Sequence, residues 1–150
     1  MAHTFANLLT HVIFSAKDRQ PLISRELKPD LLVYMGGIVR ELQCKSVAAN
    51  SMPDHLHMLL SLPPSVSVAE ALRIVKTNSS RWVRQTRTHL GGFAWQTGYG
   101  AFSVSQSNAA SVMKYIHEQE KHHRRITFQE EFISFVTKNR VRYDERYIWE

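Results

Sequence analysis

The sequence predicts an α+β fold: a four-stranded antiparallel sheet with helices on one face, in the order βαββαβα, plus a C-terminal helix. Three observations predict it. Four short segments carry apolar and polar residues at strand spacing, and the segments between them repeat their apolar residues at helical spacing. The second and third strands are separated by a link short enough for a hairpin. The 150 residues suffice for one core and one domain spanning residues 1–150, but not for an eight-stranded β/α barrel.

Composition narrows the function. The net charge is +6 and 10% of residues are aromatic, which points to nucleic acid as partner, with an anionic membrane surface as the lesser option. A single cysteine, Cys44, excludes a disulfide framework or a cysteine zinc site within one chain and suits a reducing compartment. Residues 1–7 lack the blocks of a signal peptide, and no apolar run approaches a membrane span, so a cytoplasmic protein is expected.

Residues 5 to 15 read as the first strand, with Phe5, Leu8, Val12, Ile13 and Phe14 apolar and His11 at its middle, most simply a strand histidine satisfied by its neighbours. A basic loop with Lys17 and Arg19 follows. Ser24 is suited to cap a helix whose core face is Leu27, Leu31, Met35, Ile38, Val39 and Leu42, although Pro29 allows a later start. Gly36-Gly37 inside it costs about 1 kcal/mol per glycine relative to Ala, and suggests close packing against a neighbour. Residues 44–49 and 54–62 form the second and third strands, and Pro63-Pro64 ends the pair. Ser67 and Glu70 make a capping box for a helix to about His89. Its five basic residues, Arg73, Lys76, Arg81, Arg84 and Arg87, face one acid, Glu70, which puts two-thirds of the chain's net charge on this element. A solvated face is normally mixed in sign, so this one is read as a nucleic-acid contact. The fourth strand contains Phe102 and Val104, preceded by a turn in which Gly98 and Gly100 bracket Tyr99 and admit a close backbone or phosphate. Asn108 or Ser107 caps a helix running towards His123, and Phe128, Phe132, Phe135 and Val136 mark a short last helix. The tail from Arg140 to Glu150 is expected to pack on the body or on a partner.

The chemistry concentrates in two of these elements. In the third strand His55 and His57 share one face, about 7 Å apart, while Leu56, Met58 and Leu60 point to the core. That is a two-point ligand set for a divalent metal, or simply two polar residues on a wet face. In the helix after the fourth strand, Tyr115 aligns with Gln119 and, one turn on, with His122. The Gln119 amide oxygen can complete a His-His-Gln site for Mg²⁺ or Mn²⁺. Tyr115 is then a candidate nucleophile, or else a surface tyrosine with an apolar edge. A free phenol has a pKa near 10, so attack needs a metal-bound phosphate.

Five motifs in order resemble one family. They are His11-Val12-Ile13-Phe14, Met52-Pro53-Asp54-His55-Leu56-His57, Lys76-Thr77-Asn78-Ser79-Ser80-Arg81-Trp82, the stretch Trp95 to Ser103, and Tyr115-Ile116-His117-Glu118-Gln119 with the following Glu120 to His123. Together they are similar to the small single-tyrosine HUH transposases of short single-strand-transposing insertion sequences, a family that includes the REP-associated tyrosine transposases. The resemblance implies a ferredoxin- or RRM-like HUH fold, His55, His57 and Gln119 as metal ligands, and Tyr115 attacking a DNA phosphate to give a 5′-phosphotyrosine. It implies hairpin-bearing single-stranded DNA as partner and a homodimer in which the tyrosine helix can serve the partner's histidines. Lys17, Arg19 and the basic helix would hold the DNA, His122 or a water would take the tyrosine proton, and His122 and His123 would either touch the site or form a solvated helix end. Competing readings are a hairpin-binding domain of the same fold without catalysis, an RNA-binding domain, for which the histidine strand lacks the aromatics, and a two-histidine phosphoesterase, for which a second histidine repeat is missing.

Overall fold

The structure, a computed structural model, describes residues 3–150. Strands β1 (Leu8–Ser15), β2 (Lys45–Ser51), β3 (His55–Leu62) and β4 (Gly100–Val104) form one antiparallel sheet in the order β2-β3-β1-β4. Helices α1 (Leu27–Glu41) and α2 (Val68–Thr86) follow β1 and β3, and α3 (Ala109–His117), α4 (Gln119–His122) and α5 (Phe128–Lys138) follow β4. This is the expected α+β order.

The alternation of the central strands decides the layers. Val12, Phe14, Leu56, Met58 and Leu60 point to one face and form the main core with Leu27, Leu31 and Met35 of α1 and Leu72, Val75 and Val83 of α2. Phe14 is fully buried and meets the Trp95 ring edge-on at 4.9 Å, and the Trp95 indole N–H donates to Ser79 Oγ at 2.9 Å. Leu9, His11, Ile13, His55, His57 and Leu59 point to the other face. There the layout differs from the expectation of helices on a single face. Leu9 and Leu59 pack on α3, and Ile13 packs on Phe128, Phe132 and Val136 of α5. Two small cores flank the histidines because the late helices carry apolar stripes of their own, which must be buried.

Local details follow from caps and close contacts. β1 starts at Leu8 and not at Phe5, which is 93% exposed. α1 starts at Leu27, with Pro29 in its first turn where the missing N–H costs nothing, and Ser24 Oγ accepts the Leu27 N–H at 3.1 Å. Ser67 Oγ accepts the Glu70 N–H at 3.1 Å, but the Glu70 carboxylate turns to Arg73, so only half of the expected capping box forms. A full one forms at Thr127 and Glu130, ahead of α5. Gly36 and Gly37 are not points of close approach, since a Cβ at either would meet nothing within 4 Å. Gly98 and Gly100 are: a Cβ would lie 2.9 Å from the Glu150 carbonyl oxygen and 2.9 Å from the Phe132 ring, respectively. Both approaches are made by the chain itself. The tail thus packs on the body, with Glu150 O accepting from Gly98 N–H at 2.8 Å and from the Gln96 amide at 3.0 Å, and Trp149 against Phe128 and Phe132. Among the described residues no helix is long and apolar enough to cross a membrane.

Phe14→Ala empties the centre of the main core and is expected to lower unfolding free energy by about 3–5 kcal/mol, read from a denaturant titration against the unaltered chain; a loss under 1 kcal/mol would contradict the packing described.

Candidate metal and tyrosine site

β3 presents His55 and His57 from the floor of the second face, both buried. Each has its Nδ1 held. His55 Nδ1 donates to Asp54 Oδ1 at 2.6 Å, and His57 Nδ1 lies 2.9 Å from Nε2 of His11, its neighbour on β1. His11 is therefore the satisfied strand histidine expected, and its partner is a site residue. Outer partners of this kind fix ring orientation and tautomer at metal sites.

With Nδ1 tied back, the Nε2 atoms point inwards, onto a residue that sequence reasoning missed. Glu131, on the first turn of α5, is 1% exposed. Its Oε1 lies 2.9 Å from His57 Nε2, 3.1 Å from His123 Nε2 and 3.4 Å from His55 Nε2. Its Oε2 accepts the Tyr115 hydroxyl and lies 3.5 Å from His122 Nε2. His123, its side chain 8% exposed, is thus part of the pocket and not a solvated helix end. His122 stands 34% exposed at the rim, 2.9 Å from the Tyr115 hydroxyl.

One chain brings the predicted pieces together. Tyr115 and His57 have ring centroids 5.9 Å apart. Gln119, fully buried, donates its amide N–H to Tyr115 O at 3.1 Å and turns its Oε1 to His123 Nε2 at 3.0 Å. His55, His57, His123 and Glu131 offer one ligand atom each, all within 4.8 Å of one another, and can hold a metal ion. The donors fit one: His55 Nε2 is buried without a hydrogen bond, the state of a nitrogen awaiting an electrophile.

The charges are mutually dependent. Burial opposes ionising Glu131, but the imidazoles of His123, His55 and His57 around it outweigh it and hold the carboxyl well below its usual range. Burial lowers His57 to about 4 and, together with the neighbouring His57, lowers His11 to about 3. Burial also disfavours charge on His55, yet Asp54 and Glu131 prevail and raise it. Burial and the Glu131 carboxylate push the Tyr115 phenol upwards.

Three clefts reach the site among the described residues, the smallest of about 100 Å³ beside Tyr115, Glu131 and Phe135. One of about 460 Å³ opens at His55 between Met52, Asp54, His123 and Arg125, and one of about 290 Å³ opens at Tyr115 between Lys121, His122 and Arg125. The predicted DNA contacts lie elsewhere. α2 covers the opposite face of the sheet, and most of its cations have partners within the chain. Arg87 pairs with Glu26 and Asp30, Arg73 with Glu70, Arg84 donates to Phe93 O, and Lys76 donates to Thr97 O and Gly98 O. Arg81 has no such bond among the described residues. Arg19 stacks over the Trp149 ring at 5.3 Å, near Lys17.

Known proteins resemble the chain over most of its length. The family model described as "Transposase IS200 like" matches residues 4–119, a span that contains Tyr115 and Gln119 and ends before His123 and Glu131. The chain is 27% identical over 114 residues to the ISDra2 transposase TnpA of Deinococcus radiodurans, covering 73% of this chain and 81% of that one. It is 29% identical over 128 residues to the transposase for insertion sequence element IS200 of Salmonella typhimurium, covering 79% and 81%. A solved Deinococcus radiodurans transposase superposes with a TM-score of 0.66 at 26% identity, covering 79% of this chain and 95% of that one. A REP-associated tyrosine transposase bound to a REP hairpin shares the fold, with a TM-score of 0.59 at 14% identity and coverage of 82% and 74%.

The buried histidines give stability a pH dependence. His57 and His11 are lowered from 6.5 in the fold, so the unfolded chain binds more protons as pH falls below about 6.5, and their contribution is lost down to about 4 and 3. His55, raised, opposes this in part. Net stability should fall by on the order of a few kcal/mol between pH 7 and 4, and thermal midpoints across that range measure it; a flat profile would contradict the buried neutral imidazoles.

Proposed function

We propose that this chain, which belongs to the IS200-like transposase family of DNA-cleaving and strand-transferring enzymes, cuts and rejoins single-stranded DNA through a covalent phosphotyrosine on Tyr115. The observation that supports the reading best is the Tyr115 hydroxyl held over the histidine pair of its own chain, with the Glu131 carboxylate between them.

His55 and His57 serve as metal ligands, with the Gln119 amide oxygen as third donor and Mg²⁺ or Mn²⁺ as the ion. When bound, the ion polarises the scissile phosphate and neutralises charge in the transition state. The chain's residues do the rest. Asp54 and His11 keep the two imidazoles aimed inwards. Gln119 ties its helix turn to the Tyr115 backbone. The Tyr115 oxygen attacks phosphorus, the P–O3′ bond breaks, and the products are a 5′-phosphotyrosine and a free 3′-hydroxyl. Glu131 Oε2 holds the hydroxyl in place, and His122 Nε2, which also touches the phenol, can take its proton. In the reverse sense a 3′-hydroxyl attacks the phosphotyrosine, the tyrosine leaves, and the strand is resealed with no nucleotide cofactor.

The substrate is single-stranded DNA bearing a hairpin at an element end; the REP-associated neighbour is bound to a REP hairpin. Arg81, Arg73, Lys76, Arg84 and Arg87 on α2, with Lys17 and Arg19 beside the tail, hold that hairpin on the face opposite the histidines. Of these Arg81 is the freest to do so. The cleft lined by Lys121 and Arg125 then carries the single strand to Tyr115. The chain works as a homodimer on two DNA ends, each chain using its own tyrosine, since Tyr115 and His57 already meet within one chain.

A denaturing gel with an end-labelled hairpin oligonucleotide and Mn²⁺ or Mg²⁺ tests this. A covalent protein–DNA band that needs metal and is reduced by at least about 10³-fold in Tyr115→Phe and in His57→Ala is the expected result. A hairpin-specific shift without any covalent band would favour the binding-only reading. Cutting by Tyr115→Phe would make water the nucleophile.

A further inference from the structure

His123 and Glu131 lie beyond the residues matched to the family, and the proposed mechanism gives neither a place on the metal. The hydrogen bonding around them supplies one. His123 Nδ1 faces the Ile126 carbonyl oxygen at 2.9 Å, and a carbonyl only accepts, so Nδ1 carries the proton. In the neutral ring Nε2 is then a bare lone pair. It faces two further acceptors, Gln119 Oε1 at 3.0 Å and Glu131 Oε1 at 3.1 Å. His55 stands in the same position. Its Nδ1 is committed to Asp54, and its Nε2 faces Glu131 Oε1 at 3.4 Å with no hydrogen bond. Lone pairs pointed at one carboxylate oxygen repel it unless a proton or a metal ion lies among them. The distances to the carboxylate fit a cation there: neighbouring donors about 2.1 Å from an ion are about 3.0–3.4 Å apart, close to the 2.9, 3.1 and 3.4 Å of the His57, His123 and His55 nitrogens from Glu131 Oε1, and the four ligand atoms lie within 4.8 Å of one another.

We infer that His123 and Glu131 join His55 and His57 as direct metal ligands, and that this three-imidazole, one-carboxylate set selects a first-row transition ion over Mg²⁺. The inference rests on the metal-dependent reading of the same pocket. Imidazole nitrogen suits Mn²⁺, Co²⁺ and Zn²⁺, whereas Mg²⁺ keeps to oxygen and its own water. The second Glu131 oxygen stays on the Tyr115 hydroxyl, so one carboxylate spans the ion and the nucleophile and sets the distance between them. With Gln119 these make five protein donors, and an ion of six coordination keeps room for a phosphate oxygen beside them.

Metal binding by the full chain, without DNA, tests this. Calorimetric titration should show one Mn²⁺ or Co²⁺ bound per chain, at least about 100-fold more tightly than Mg²⁺. His123→Ala and Glu131→Gln should each weaken Co²⁺ binding by about 10-fold or more. Because these variants can disturb the fold, the unaltered chain loaded with Cu²⁺ gives a second measurement: electron spin-echo modulation should count three coordinated imidazoles. A count of two, or Mg²⁺ bound as tightly as Mn²⁺, overturns the inference. The outcome separates from that of the gel assay: ion bound as stated with no covalent band sinks the phosphotyrosine reading alone, and a covalent band with two imidazoles on the metal sinks the ligand set alone.

Discussion

One buried carboxylate organises the second face of the sheet. Glu131 is charged in a pocket that water scarcely reaches, and an ion so placed costs several kcal/mol unless it is paired and hydrogen-bonded. Its partners come from β3, from the turn after α4 and from α3, so the ionic contacts fasten α5 to three separate elements. The same contacts order the imidazoles and hold the tyrosine. The flanking hydrophobic clusters, Leu9 with Leu59 and Ile13 with Phe132, position those helices, but the carboxylate fixes which side chains meet.

The sheet divides the labour between its faces. The β-strand alternation sends Leu56 and Met58 to a dry core under α1 and α2 and sends His55 and His57 to the chemistry. A one-residue slip in β3 would turn the histidines into the main core and the leucines onto the site face, so the core packing enforces the register that the site needs. The register with β1 places His11 beside His57, and the pair of strands thereby supplies both a histidine and its orienting partner.

The basic helix is also a structural element. Arg87 bridges to Glu26 and Asp30 near the start of α1 and lies over Trp82, which itself stacks on Tyr34 at 4.7 Å. Lys76 closes the turn at Thr97 and Gly98, and burial lowers it to about 8. Charge counted along α2 therefore overstates what is free to meet a phosphate. The tail contributes in a comparable way: Trp149 covers Phe128 and Phe132 behind Glu131, and Glu150 closes on Gln96 and Gly98.

By itself the sequence determined the element order, the strand that carries His55 and His57, and the helix that carries Tyr115 and Gln119. These follow from local periodicity and caps, which act over a few residues. It also carried the motifs that resemble the transposase family. Only the tertiary structure decided that Glu131 and His123 enter the site. Glu131 reads in the sequence as an ordinary acid in the first turn of a helix, and His123 as one of a pair at a helix end. Their burial depends on how α5 folds back over the sheet, a contact spanning 74 residues between His57 and Glu131. Likewise the pairing of Arg87 with Glu26, 61 residues away, is invisible to a count of charges on one helix. Spacing rules reach one or two turns; a buried ion recruits its partners from wherever the packed chain brings them.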